Sequence, residues 1–469
     1  MNYEIFREYD IRGIVGKEFT GDDALLIGKG IVTYLKSCKP DLKTMMIGRD
    51  GRNSSPAIFE NIAKSALQAG IDVVDIGIVA SPVFYFALHT TDVVDGVMIT
   101  ASHNPKDYNG FKICINQKNI HGPEIQKIKT IIVHNQFAPD APKLGKVSNF
   151  DAITPYLNWT CEQFKHLKNS DLAIAFDCAN AASAVVMPRL VKMMGWKNCI
   201  TLYDDLDGNF PNHEADPTVA ANMVLFANYL KNNPQFELGI GFDGDADRMA
   251  PIMNDGKPLA GDLLLTLFSK QVLATHPGAT VVFDIKSSDI LVSAIKKHGG
   301  KPVMAATGHS NIKKAIEKHH AVVAGELSCH FFFSDRAFGY DDGIYAAMRL
   351  IEIIIQEGRS LEKLIEQFPS KSSSPEYRIP CKEEEKGLII EAARREFAQH
   401  KNFDINTIDG IRVQTSYGWG LLRQSNTQPM VSLRFEADNN EDLEHLKKDF
   451  HSVLTPFIDE TLLDEHFAA

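Results

Sequence analysis

The chain has no Cys-x-x-Cys, and its seven cysteines, at 38, 114, 161, 178, 199, 329 and 381, are scattered and odd in number. Neither a disulfide framework nor a zinc site is suggested, so reduced thiols and a cytoplasmic location are expected. No window of about 18 uncharged apolar residues occurs, so no membrane-spanning helix is expected. The opening residues, MNYEIFREYDIRG, carry charge where a secretory signal needs an apolar stretch. Basic residues are in deficit, 49 Lys+Arg against 60 Asp+Glu, for a net charge of −11 and no basic run. That balance argues against nucleic acid or an anionic membrane as the main partner. It leaves room for an anionic substrate, because a local cationic pocket can sit in an acidic protein.

What is present is ordinary for a soluble globular protein: 469 residues, 44% hydrophobic and 23% charged. That length predicts about three or four domains and a core large enough to fold without staples. Short apolar runs alternate with helical patterns. TMMIGRD (44–50), IDVVDIG (71–77) and VDGVMITASHNP (94–105) read as strands ending in polar loops, with a helix from Pro56 to Ala69 stopped by Gly70. The rhythm returns at 172–180 and 237–248, and again at 280–288 and 321–330. This is the pattern of α/β layers, with polar residues gathered past the C-terminal ends of the strands. The expected fold class is α/β: three similar mixed α/β domains (1–150, 151–255, 256–369). A polar break at 370–381 then leads to a C-terminal α+β domain (370–469) with a helix at Glu383–His400, strands near 408–416 and 430–437, and a helix from about Glu441.

Four segments carry chemistry. In Thr100-Ala101-Ser102-His103-Asn104-Pro105 a serine sits on a turn after a strand, without the Gly-x-Ser-x-Gly surroundings of an acyl-enzyme nucleophile. It reads either as a strand-capping turn or as a carrier of a covalent group, and Lys112 could return to it by a hairpin. In Asp243-Gly244-Asp245-Ala246-Asp247-Arg248, three carboxylates at i, i+2 and i+4 offer hard oxygen donors suited to Mg²⁺ rather than Zn²⁺. The loop lacks the glutamate of a calcium EF-hand, and three like charges would repel unless a cation joined them. Glu326, Ser328 and His330 alternate, so in an extended loop they share a face suited to a polyhydroxylated ligand; that spacing does not suit a hydrolytic triad. Arg423-Gln424-Ser425-Asn426-Thr427-Gln428-Pro429 reads as a phosphate nest or a plain polar loop. Tyr9, Asp10 and Arg12, the run Gly48-Arg49-Asp50-Gly51-Arg52, and Lys286 with Gly308-His309-Ser310 are lesser sites, each also readable as surface loop.

These motifs, with Glu8 to Gly13, occur in this order over nearly the whole chain, and together they resemble the α-D-phosphohexomutase superfamily, close to its bacterial phosphomannomutase/phosphoglucomutase branch. Asp207-Gly208-Asn209-Phe210-Pro211-Asn212-His213 and Phe338 to Gly343 are similar to that branch as well. The resemblance implies four domains around a central cleft, and a phosphohexose mutase that moves phosphate between O1 and O6 of mannose or glucose through a hexose 1,6-bisphosphate. It implies that Ser102 is the phosphoserine and that Asp243, Asp245 and Asp247 hold one Mg²⁺ with its phosphate. Glu326, Ser328 and His330 would bind sugar hydroxyls, and Arg423, Ser425, Asn426 and Thr427 the resting phosphate. Tyr9, Arg12, Lys112, Arg248, Lys286 and His309 would line the transfer site, with Lys112 or His309 as general base. Cys329 departs from the pattern, standing where a glycine is common, and a small side chain there should be tolerated. Sugar phosphates are the expected partners of a monomeric chain. Turnover of the bisphosphate calls for hinge motion near 369–375. A Mg²⁺-dependent phosphatase and a non-catalytic sugar-phosphate binder are the competing readings.

Overall fold

The computed structural model describes residues 1–400, 403–425 and 429–467. Its helices begin where the sequence places helix-starting chemistry. Prolines 56, 82, 123 and 188 occupy the first turn of helices Ser55–Gln68, Ser81–Thr90, Pro123–Val133 and Met187–Met194, where the missing N–H costs nothing. Thr20 and Asp23 form a reciprocal capping box at the start of Gly21–Cys38. Gly70, with φ +77°, follows helix Ser55–Gln68 as its stop. The helix Gly343–Glu357 is apolar nearly all round and correspondingly buried.

Three units repeat one topology. In the first, strands Thr44–Arg49, Asp72–Ile78, Gly96–Ile99 and Tyr108–Ile115 follow in chain order, yet the sheet runs fourth, third, first, second. Strands Ile174–Asp177, Ile200–Leu202, Leu238–Phe242 and Met249–Met253 adopt the same order in the second unit. Thr280–Asp284, Lys301–Ala305, Val323–Gly325 and Phe331–Phe333 do so in the third. The first unit adds Ile11–Ile14 at one edge and Val147–Asn149 at the other. In each unit the first three strands are parallel and joined through helices, as parallel pairing requires. The third and fourth strands form an antiparallel hairpin. The three hairpin loops are 100–107, 243–248 and 326–330, which are the serine, tri-aspartate and Glu-Ser-His segments. One architectural position, used three times, therefore presents three different chemistries.

The fourth unit is an antiparallel sheet, Ser372–Ser373, Met430–Ala437, Gly418–Gln424, Ile411–Gln414 and Asp404–Asn406 in spatial order, with Tyr377–Pro380 also on Met430–Ala437. Helices Lys386–Phe397 and Asn440–Leu454 cover it. The expected α+β character is observed. One apolar core runs through the first three units, from Phe84 and Met98 to Phe176, Phe331 and Ile351. The fourth unit has its own, built on Ile379, Phe397, Phe435 and Phe450. It meets the third unit through a small cluster of Ile285, Trp419 and Leu421. There Arg412, 3.7 Å above the Trp419 ring, donates to Ile285 O and Ser287 O at 2.7 and 2.8 Å. Separate cores imply separable unfolding. Phe450→Ala is expected to cost about 3–5 kcal/mol and, in calorimetry, to lower a transition of the fourth unit while the main transition stays. One transition moving as a whole would contradict the division.

Candidate active site

The three hairpin loops and the fourth unit surround a cavity of about 850 Å³. Ser102 lies at its floor, 3% exposed and in the left-handed region, φ +51°. Its Oγ donates to Asp243 Oδ2 at 3.0 Å and lies 3.1 Å from His103 Nδ1. Burial, with Arg248 and Arg12 nearby, holds His103 well below the usual imidazole range, so this ring is neutral. Arg12, on the edge strand paired with Tyr108–Ile115, donates to Ala101 O at 3.0 Å and to Asn104 Oδ1 at 2.7 Å and pairs with Asp10.

The tri-aspartate loop docks on its neighbours through the backbone. Ser81 N donates to Asp245 O, and Gly343 N to Ala246 O, at 2.8 and 3.1 Å. Ala246 takes φ +59°, turning the three carboxylates inward, where one oxygen of each lies within 4.8 Å of the others. A cation does join them, but it belongs to the chain: Lys112 Nζ is 2.6 Å from Asp245 Oδ2 and 2.5 Å from Asp247 Oδ2. Burial disfavours the charge on Lys112, but the two carboxylates outweigh it and push its pKa well above the ordinary value. The lysine returns by the hairpin as expected, across from Met98, yet it grips the acids rather than the serine. Asp243, buried and facing Asp247 and Asp245, is held well above the usual carboxylate range. Asp245 Oδ1 and Asp247 Oδ1 are buried and accept no hydrogen bond. Two carboxylate oxygens that accept no hydrogen bond, beside a raised third acid, fit a hard divalent cation.

The 326–330 segment corrects one expectation. It is a tight turn, with Glu326 N donating to His330 O at 3.0 Å, not an extended loop. The three side chains still converge: Ser328 Oγ lies 3.1 Å from His330 Nδ1, and Glu326 Oε2 lies 3.4 Å from the same nitrogen. Cys329 has φ +66°, the region where glycine is unstrained. Burial pushes its thiol up to about 12, so it is inert packing. The turn pairs directly with the tri-aspartate loop through Arg248 and His330; His330 Nε2, to which Arg248 Nε donates at 3.3 Å, lies 3.2 Å from Asp247 Oδ1.

Tyr9, Lys286 and His309 also line the cavity. Tyr9 donates to Thr307 O at 2.8 Å, and its ring packs so tightly on Gly308 that a Cβ there would come within 2.5 Å of it. His309 Nδ1 is 3.5 Å from the buried Asp341; burial, with Lys313 and Lys112 near, holds its pKa well below the imidazole range. Arg423 and Ser425 face the cavity from the fourth unit, Arg423 held by Asp409 at 3.0 Å. Asn426 and Thr427 lie outside the described residues. Sequence reasoning missed Glu376, 3.5 Å from Lys286 Nζ and depressed to about 2 chiefly by that ammonium. It stands in the segment read as a linker. Asp341 and Arg52 were missed as well; each sat in a motif quoted without a role.

Comparisons with known proteins agree across the chain. Residues 3–139, 150–256 and 260–372 match the family descriptions of phosphoglucomutase/phosphomannomutase alpha/beta/alpha domains I, II and III, and residues 376–452 the C-terminal domain. A phosphomannomutase/phosphoglucomutase of Pseudomonas aeruginosa is 41% identical over 451 residues, covering 96% of this chain and 95% of its own. A phosphoglucomutase of Neisseria meningitidis serogroup A is 42% identical over 455 residues, 96% of each chain. The crystal structure of a phosphoglucomutase/phosphomannomutase family protein from Burkholderia thailandensis superposes with a TM-score of 0.90 at 34% identity, covering 97% and 98% of the two chains.

The Lys112 contacts make a measurable statement. In chelator, Lys112→Met is expected to lose about 3–5 kcal/mol of stability, because two buried carboxylates lose their cation. Saturating Mg²⁺ is then expected to restore more stability to the variant than it adds to wild type, read by urea unfolding. Equal stabilisation of both proteins would contradict a site shared by the ammonium and the ion.

Proposed function

The chain belongs to the phosphoglucomutase/phosphomannomutase family, and from that premise we propose that it interconverts hexose 1-phosphate and hexose 6-phosphate, of mannose, glucose or both, through a phosphoserine at 102. The two oxygens of one hexose cannot reach each other, so an enzyme-borne phosphate is the economical carrier. The O6 hydroxyl of a hexose 1-phosphate attacks the Ser102 phosphate, the P–Oγ bond breaks, and the hydroxyl proton passes to a base. The hexose 1,6-bisphosphate then turns over in the cleft. Ser102 Oγ takes the phosphate from O1, and the proton returns to the freed O1 oxygen.

The residues divide this work by charge. Asp243, Asp245 and Asp247, with the seryl phosphate, would hold one Mg²⁺, which when bound supplies charge neutralisation at the transferring phosphoryl group. Arg12 and Arg248 flank the same phosphate as fixed cations. Lys112, held by Asp245 and Asp247, supplies a further cation beside them. His309 is neutral, because burial lowers its pKa, and it lines the cavity; it is the group that takes the hydroxyl proton. Glu326, Ser328 and His330 orient the sugar hydroxyls. Lys286, Tyr9, Arg423, Ser425, Asn426 and Thr427 hold the phosphate that is not transferred. The four units act as domains, 1–150, 151–255, 256–369 and 370–469, the last closing over the bisphosphate about 369–375.

One observation carries the reading: a buried serine hydroxyl, 3.0 Å from a carboxylate of the tri-aspartate loop, at the floor of a cleft lined by cations. The neutral imidazole of His103 beside Ser102 is the observation that favours a phosphatase, since it could activate water. Intact mass separates the carrier role from both alternatives: the isolated protein is expected to carry one extra phosphate that Ser102→Ala lacks. Parallel assays with glucose 1-phosphate and mannose 1-phosphate, each in wild type and Ser102→Ala, are expected to show mutase turnover only in wild type. Wild-type activity in Ser102→Ala would sink the mechanism.

A further inference from the structure

Two segments have no part in the reaction above, Gly48–Arg52 and Asp207–His213, and they meet behind Ser102. Arg52 is 1% exposed. Its NH1 donates to Pro105 O and Tyr108 O at 2.6 and 3.1 Å, and its NH2 to Ser102 O and Asn104 O at 2.8 and 2.6 Å. Its Nε donates to Asp50 Oδ2 at 3.1 Å. All five N–H groups of the guanidinium are therefore used, three of them on carbonyls of the loop that carries the serine and a fourth on Tyr108, the first residue of the strand that follows. Asp50 is itself fixed by Ser55 Oγ at 2.7 Å.

The other face of this guanidinium is covered by the second unit. The Phe210 ring centroid lies 5.2 Å from Arg52 Cζ, within cation–π range. Asn53 Nδ2 donates to Asn209 Oδ1 at 3.0 Å. Gly208 lies so near that a Cβ would come within 2.6 Å of Gly51 O. The tri-aspartate loop rests on the same point, since a Cβ on Gly244 would meet Ser102 O at 2.2 Å and Arg52 NH2 at 3.6 Å. Ser102 meanwhile holds a left-handed backbone that a non-glycine residue keeps only when its surroundings over-determine it.

We propose that Arg52 is a positioning residue for phosphoryl transfer: it pins the Ser102 loop by three of its carbonyls and by that of Tyr108 at its end, in the strained conformation that aims Oγ at the tri-aspartate loop, and Phe210 from the second unit holds the guanidinium in place. A lysine cannot replace it, because an ammonium has three donors and no planar fork. The proposal rests on Ser102 being the phosphate carrier.

The test compares Arg52→Lys with Arg349→Lys. Arg349 is equally buried, donates to Asp335 and Gln271 and lies over Phe333, away from the cleft. Both variants are expected to melt lower than wild type. Only Arg52→Lys is expected to lose about 10²-fold in kcat with KM within about twofold, the scale of a misplaced reacting group, and to show faster amide exchange across 101–108. Arg349→Lys is expected to keep its kcat within about twofold. Arg52→Lys with near wild-type kcat at a temperature where it is folded would overturn the proposal. If Arg52→Lys does not fold, Phe210→Leu, which keeps Arg52 but removes the ring that packs on its guanidinium, is expected to lower kcat about threefold to tenfold at unchanged KM; an unchanged kcat there would overturn it too. Wild-type turnover and the Ser102→Ala result are read separately, so failure of the carrier role is distinguishable from failure of this inference.

Discussion

A single ammonium holds the site together. Lys112 comes from the first unit, and its two carboxylate partners, Asp245 and Asp247, from the second. Without a cation, the buried like charges of that one loop would repel one another; the ammonium offsets this repulsion and ties the loop to the first unit. With it, Asp243 is left beside Ser102, and the hydroxyl and the acids share one floor. The ammonium meets only one oxygen on each partner; the other two accept no hydrogen bond, and His330 Nε2 lies 3.2 Å from that of Asp247. The contact between the two units and the cluster that could hold a metal ion thus share Asp245 and Asp247.

The rest of the architecture brings that floor together. Each of the first three units ends its parallel strands in a hairpin, and each hairpin loop carries one element of the chemistry. The common core across these units fixes the three loops relative to one another. The fourth unit keeps its own core and meets the third through a small apolar cluster ringed by polar contacts from Arg412, Arg434 and Glu436. That division suits an enzyme whose transfer site must be rigid and whose grip on a bisphosphate must relax.

Local signals made much of this legible. The strand and helix rhythm predicted three similar α/β units, and Pro56 and Gly70 marked the limits of one helix to within a residue or two. The reactive segments stood out because polar residues followed apolar strands directly. What stayed hidden depended on distance in sequence. Arg52 acts on carbonyls 50 and more residues away, and a backbone acceptor leaves no trace in side-chain pattern. Glu376 looked like part of a linker because its partner, Lys286, belongs to another unit. The turn at 326–330 was misread as extended because alternation alone does not reveal the left-handed residue, Cys329, that closes it.

The central claim is that the phosphate on Ser102 moves to a sugar and not to water. Loading the protein with a radiolabelled seryl phosphate and mixing it with excess unlabelled glucose 1-phosphate tests this in one turnover. The account predicts that the label appears first in glucose 1,6-bisphosphate and then in hexose monophosphate. Release of the label as inorganic phosphate, with none in the bisphosphate, would contradict it.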